Sequence, residues 1–262
     1  MALLSLVIPA LNERDNIDRL FDEIPFAALA LQGWDTEVLV IDNGSTDGTA
    51  RTARRRGARV LVQPIRGYGN AYKLGFANAA GDVFVTGDAD LTYPFDMLPQ
   101  LVAYFEENEL DFLTTNRLLS SNRNAMKSSH ALGNHVLSAA SSTLFRTPFK
   151  DSQSGMWLLR RYVWEQLDVR SSGMAFSQEL KHEAFLKQFR CDEVDIEYRP
   201  RGGKEKLNAS RDGVRNLVQL ATHRARAYRR AEANHHRQED LELRGLDNSA
   251  HWRRNDPFRW MS

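Results

Sequence analysis

Gly81-Asp82-Val83-Phe84-Val85-Thr86-Gly87-Asp88-Ala89-Asp90-Leu91-Thr92-Tyr93-Pro94 holds a short apolar run between two glycines, followed at once by two aspartates two residues apart. Val83, Phe84 and Val85 read as a buried strand. Where the chain stays extended beyond it, Asp88 and Asp90 point the same way. Two hard oxygen ligands at a strand end suit Mg2+ or Mn2+, ions that commonly share their coordination with a substrate phosphate. The plain alternative is a turn or helix cap, because Asp-x-Asp is common in both.

Four more apolar runs, Leu3–Ile8, Glu37–Ile41, Ala58–Val62 and Asp111–Thr115, read as strands around it. Between them the helical stretches are Asn16–Leu31 (interrupted near Pro25), Thr46–Arg56, Asn70–Ala79 and Phe95–Glu107. Alternating strands and helices with near-continuous apolar strands predict an α/β fold, a mostly parallel sheet covered on both faces. Ligands of such sheets bind at the strands' carboxyl ends, where Asn12, Asp42 and Asp88 all fall. The second half is less regular: helices over Ser128–Phe145 and Phe176–Phe189, strands at Gly155–Leu159 and Cys191–Tyr198. A basic helix from about Asp212 to Arg237 follows, then a polar tail with Trp252 and Trp260.

The chain has 262 residues, 42% of them hydrophobic, and a formal net charge of +1, so it can bury a full core and shows no charge signature of nucleic-acid binding. One domain over 1–220 with a helical extension and tail over 221–262 is the expected organisation. A single cysteine, Cys191, excludes a disulfide framework and fits a cytoplasmic setting. No early basic segment precedes a long apolar run, and no stretch is apolar enough to cross a bilayer.

Val38 through Thr49, VLVIDNGSTDGT, reads as a buried strand, an Asn-Gly turn and a capped helix start. Asp42 at the strand end either accepts hydrogen bonds from a base or ribose or simply closes the connection. Pro9 forces an extended exit from the first strand, and Asn12 and Glu13 either face a ligand or cap the next helix. Gly67-Tyr68-Gly69 is a turn that lets backbone approach a ligand closely, or merely a loop. Arg117, and Arg199, Arg201, Lys204 and Lys206 around Gly202-Gly203, are cations able to bind phosphate, though a solvated loop has the same composition. Asp151 is a turn residue or a base. The seven histidines have no metal spacing.

Taken in order, VIPALNERDNI, VLVIDNGSTDGT, RGYGNAYKLGFANAAGD, GDADLTYP, TTNR, DSQSGMWLLRR, SGMAFSQEL and IEYRPRGGKEKLNASRDG resemble the family 2 glycosyltransferases of the GT-A fold, in particular the polyprenyl-phosphate (dolichol-phosphate-like) hexosyltransferases. The resemblance spans roughly Leu4 to Leu220. It implies a nucleotide pocket of Pro9, Ala10, Asn12, Glu13 and Asp42, with Asp88 shared between nucleotide and metal. Asp88 and Asp90 would hold Mg2+ or Mn2+ on the donor diphosphate. Arg117, Arg199, Arg201 and Lys206 would bind the acceptor phosphate, and Asp151 would orient the acceptor or act as base. The implied reaction inverts the anomeric centre in one displacement from a UDP- or GDP-sugar. The partners are then a nucleotide sugar, a polyprenyl phosphate, and an anionic membrane surface met peripherally through Arg224–Arg237. Asn43, Thr92, Ala175 and Glu205 depart from the family's usual residues, and Glu205 places an anion in the acceptor loop. Two alternatives stay open: transfer to the hydroxyl of a small molecule or peptide, and a catalytically silent nucleotide-sugar-binding subunit.

Overall fold

The computed structural model describes residues 2–122, 125–126, 128–203 and 209–243. Among these, seven strands form one sheet: β1 (Ala2–Ala10), β2 (Trp34–Asp42), β3 (Arg59–Val62), β4 (Val83–Thr86), β5 (Phe112–Asn116), β6 (Trp157–Arg160) and β7 (Cys191–Asp195), in the order β3-β2-β1-β4-β6-β5-β7. β3, β2, β1 and β4 pair in parallel. β6 enters antiparallel between β4 and β5, and β7 pairs parallel to β5. This is the mostly parallel GT-A-type sheet that the alternating pattern predicts.

Strand residues of both parities are buried, which is why the strands read as unbroken apolar runs. Leu4, Leu6 and Ile8 join Val38, Val40, Val83 and Val85 on one face, under α1 (Arg14–Glu23), α2 (Phe26–Leu31), α3 (Thr49–Arg55) and α5 (Leu98–Glu107). Val7, Leu39, Ile41, Phe84 and Trp157 form the other, under α4 (Tyr68–Asn78) and α8 (Phe176–Leu186). Gly75 of α4 is required there, since a Cβ would lie 2.2 Å from Val7. α7 (Arg161–Gln166) continues directly from β6.

A third, smaller core joins α6 (Ser128–Phe145), α8 and α9 (Ala209–Leu243) through Leu137, Phe145, Leu186, Leu220 and Ala227. The division expected after residue 220 falls inside α9, with buried residues on both sides of it. Within Arg224–Arg237, the expected solvated or membrane-facing character does not hold for Arg226 and Arg230. Arg226 pairs with Glu179, and Arg230 with Glu183 and Asp168, so these two cations clamp α9 onto α8 and its preceding loop. His223 Nε2 lies 2.7 Å from Glu183 Oε1 in the same seam. The Arg237 side chain, Lys204, Glu205, Lys206, Trp252 and Trp260 lie outside what is described. Among the described residues, no helix is long and apolar enough to cross a membrane.

Candidate active site

The loops leaving β1 and β2 are stitched together. Asn12, in a left-handed conformation at φ 52°, donates its backbone N–H to Ser45 Oγ (2.9 Å) and accepts from the Thr46 N–H on Oδ1 (2.8 Å). The Glu13 N–H donates to Thr49 Oγ1 (2.8 Å). Asp42 is buried, and its Oδ1 accepts from the Ser45 N–H at 2.9 Å. These bonds fix the lip of a cavity of about 280 Å³ at the carboxyl ends of β1 and β4. Its walls include Pro9, Ala10, Glu13, Asn43, Tyr68, Asp88, Asp90, Met174 and Arg201. Asn12 and Asp42 shape this rim from behind rather than line it.

Asp90 spends one carboxylate oxygen on its own turn: Oδ1 accepts from Thr92 Oγ1 (2.6 Å) and the Thr92 N–H (3.1 Å). The other, Oδ2, meets the Arg201 guanidinium at 2.5 Å. Burial and then the neighbouring Asp90 charge push the Asp88 carboxyl up to about 7, against the pull of Arg201 and Arg117. Two carboxylates in one partly desolvated pocket call for a cation, and Arg201 supplies one. The donor set fits Mg2+ or Mn2+, hard ions that take few protein carboxylates and complete their shell with phosphate oxygens and water. Among the described residues no third acidic, histidine or cysteine ligand joins them.

Arg117 follows β5 and forms a two-pronged pair with fully buried Asp151, Nε to Oδ2 at 2.8 Å and Nη2 to Oδ1 at 3.1 Å. Its guanidinium carbon also sits 5.2 Å from the centre of the Tyr198 ring. Burial alone would raise the Asp151 pKa, but Arg117, with Lys181 adding to it, holds it below the usual carboxylate range. Arg117 lines a second cavity of about 310 Å³, walled by Leu118, Leu119, Ser120, Asn122, Met126, Ala131 and His135. The cation thus stands in the wall of a pocket of mixed polar and apolar lining, close enough to Asp88 to lower its pKa.

Of the expected phosphate ligands, Arg117 and Arg201 reach these cavities. Arg199 does not: Asp96 (2.9 Å) and Glu23 (3.3 Å) hold it outside, while its N–H and that of Gly202 tie the loop to the carbonyls of Thr92 and Asp90. Gly67 and Gly69 approach protein rather than ligand, since a Cβ at either would lie 2.4–2.5 Å from the carbonyl oxygens of Ser172 and Ser171.

Sequence reading passed over a group of three tyrosines. The Tyr93 hydroxyl accepts from the Gly155 N–H at 2.6 Å, Tyr72 reaches the Gly155 carbonyl, and Tyr68 meets the Tyr72 hydroxyl while lining the cavity with Asp88. A Cβ on Gly155 would lie 2.2 Å from the Tyr68 hydroxyl. Tyr93, three residues past Asp90, was the available signal. Tyr68 and Gly155 are 87 positions apart and gave none.

Asp88 and Asp90 thus lie at the strand ends of a GT-A-type sheet, with Arg201 and Arg117 close by. A profile described as glycosyl transferase family 2 matches residues 5–167, and the chain belongs to that family. It is 34% identical over 216 residues to the low-salt glycan biosynthesis hexosyltransferase Agl6 of Haloferax volcanii, an alignment covering 82% of this chain and 52% of that protein. The chain therefore spans about half the length of that relative. The dolichyl-phosphate hexose transferase of the same organism is 28% identical over 212 residues, covering 80% and 89%. Among solved structures, Mycobacterium tuberculosis glucosyl-3-phosphoglycerate synthase with Mg2+ and UDP matches at a TM-score of 0.64 and 23% identity, covering 84% and 79%. A further complex of that enzyme contains Mn2+.

Proposed function

We propose that this glycosyltransferase moves a hexose from a UDP- or GDP-sugar to a polyprenyl phosphate, with Mg2+ or Mn2+ bound through Asp88 and Asp90. The observation that carries this reading is the pair of cavities, one acidic at the strand ends, the other with the Arg117 cation in its wall close enough to act on Asp88. Relatives named as hexosyltransferases, one of them to dolichyl phosphate, support it.

Pro9, Ala10, Glu13 and the turn closed by Asp42 hold the nucleoside, while Asp88 and Asp90 position the diphosphate. When bound, the divalent ion neutralises charge building on the leaving diphosphate. Arg117 places an acceptor phosphate oxygen behind the anomeric carbon. The new C–O bond forms as the bond to the diphosphate breaks, with inversion, and the nucleoside diphosphate departs with the electron pair. Positioning carries much of such a reaction. Arg201, paired with Asp90 here, would be available to either phosphate with a divalent ion held by Asp88 and Asp90.

A phosphate acceptor is already ionised at neutral pH and needs no base. That agrees with Asp151, whose two oxygens are taken by Arg117 and whose pKa is lowered. A hydroxyl acceptor would need a base with free lone pairs and a higher pKa, so Asp151 serves as a positioning group for Arg117. The test is transfer from a UDP- and GDP-sugar panel, with Mg2+ or Mn2+, to a short-chain polyprenyl phosphate, read as radiolabel extracted into organic solvent. Transfer only to soluble hydroxyl compounds would replace this reading with the small-molecule alternative. Donor turnover of any kind removes the silent-subunit alternative.

A further inference from the structure

Lys181 of α8 is fully buried, and the transfer step described above gives it no part. Its Nζ donates to the Asp151 backbone carbonyl at 2.5 Å. Taking an ammonium out of water is costly, and a methionine of similar length would fill the place at less cost. Burial draws the Lys181 pKa down to about 8, although Asp151 and Glu193 both help to keep the proton on.

The turn that Lys181 grips is held at backbone and side chain alike. The Asp151 N–H donates to Glu193 Oε1 (3.1 Å) and the Lys150 N–H to Glu193 Oε2 (2.8 Å). β7 sets Glu193 level with Thr114 of β5, three residues before Arg117. The Asp151 carboxylate accepts from Arg117 Nε and Nη2 and from the backbone N–H groups of Arg117 and Gln153. Arg117 is aimed by this pair, which leaves its Nη1 over. The Asp151 charge nevertheless works against any anion that Arg117 meets. Lys181, bonded to the carbonyl of the same residue, offsets that charge.

Other charged groups packed on α8 have partners elsewhere. His223 and Arg230 meet Glu183, Arg226 meets Glu179, and Lys73 of α4 donates to the Arg170 carbonyl. α6 contains no Asp, Glu, Lys or Arg. His182 lies against Ser141, and burial holds its pKa well below the usual imidazole range. Arg117, Asp151 and Glu193 are thus the charges that act on Lys181.

We propose that Lys181 is a positioning residue for the acceptor phosphate: its ammonium holds the Asp151 turn that aims Arg117 and offsets the Asp151 charge, so that Arg117 meets the phosphate as a net cation. The inference rests on the phosphate-acceptor reading and adds to it a charge that acts through Asp151 without touching substrate. Its consequence is a pH dependence of acceptor binding. With Lys181 protonated the site favours an anion, and as pH rises through about 8 that charge is lost and the acceptor KM climbs. A phosphate monoester loses its second proton at about pH 6, so the acceptor itself does not titrate there.

The test is transfer by the full chain to a short-chain polyprenyl phosphate at saturating donor and Mn2+, from neutral to alkaline pH. Lys181→Gln keeps an N–H donor without the charge, and Lys181→Met keeps neither. At neutral pH both should raise the acceptor KM, Lys181→Met by about tenfold, and both should lose the alkaline climb of wild type. Calorimetric binding of Mn2+ and nucleoside diphosphate should match wild type. Glu193→Gln removes a carboxylate that keeps Lys181 protonated and should move the climb to lower pH. A Lys181→Met acceptor KM and pH profile equal to wild type would overturn the proposal, as would donor and acceptor binding weakened alike, the mark of a purely structural role. Should Lys181→Met fail to fold, an unmoved climb in Glu193→Gln would overturn it equally. Wild type that transfers to hydroxyl compounds and not to a polyprenyl phosphate would remove the acceptor reading, and the role of Lys181 with it.

Discussion

Asp151→Ala should be the most damaging single change to stability near the site. The wild-type pair joins a fully buried carboxylate to an arginine whose side chain is only 9% exposed. Removing the carboxylate leaves a guanidinium that cannot lose its proton in the protein interior. Breaking a buried pair from one side costs about 3–5 kcal/mol, equivalent to a fall in melting temperature of about 6–20 °C for a domain of this size. Arg117→Ala leaves a different orphan. In the wild type the Asp151 pKa is lowered, so its contribution is present above the ordinary carboxylate range and fades as pH falls through the folded value. Without Arg117, burial becomes the leading influence and the folded pKa rises. A carboxyl with a raised folded pKa stabilises the fold at low pH and loses that contribution as pH increases. The deficit of Arg117→Ala should therefore narrow as pH falls from neutral toward the ordinary carboxylate range, while that of Asp151→Ala should not. Urea unfolding of wild type, both single variants and the double variant supplies the measurement, with the double expected well short of the sum of the singles. Additive singles, or an Asp151→Ala deficit under about 1 kcal/mol, would refute the argument, because that is the range of an exposed pair.

Asp90→Asn should abolish turnover and Mn2+-dependent nucleotide binding by calorimetry while the ligand-free melting temperature holds; retained turnover at saturating metal would remove Asp90 from the metal site. Arg201→Ala should bind Mn2+ alone more tightly than wild type, since a competing cation leaves Asp90, yet turn over more slowly; unchanged metal affinity would show that the Arg201 pair does not compete. Gly155→Ala should lose activity by displacing Tyr68 in the wall of the Asp88 cavity, and adding Tyr68→Phe should restore stability but not full activity. A silent Gly155→Ala would mean that Tyr68 moves without consequence. Asp42→Ala should weaken UDP or GDP and the matching nucleotide sugar by similar factors in a thermal-shift titration, and a change confined to sugar preference would place Asp42 elsewhere.

Local sequence was enough wherever the deciding interaction is local. The Val83–Thr86 strand, the glycine that follows it and the aspartates beyond are set by apolar patterning and backbone exit, and they lie where the pattern puts them. The same holds for α6, whose bounds Ser128–Phe145 follow from composition alone. Side-chain partners drawn from distant segments were another matter. Arg117 and Asp151 are 34 residues apart, Tyr68 and Gly155 87, and Arg226 and Glu179 47. A basic run reads the same whether it faces water, lipid or the acids of α8, because a charge carries no record of its partner. Packing of α9 on α8 made that choice for Arg226 and Arg230, just as Glu23 and Asp96 made it for Arg199. The sequence by itself therefore determined the sheet, its carboxyl-end crevice and the acidic pair, each a matter of periodicity along one segment. Only the tertiary structure decided which cations reach that crevice and which are consumed in holding it together, since burial and pairing depend on segments that meet only after folding.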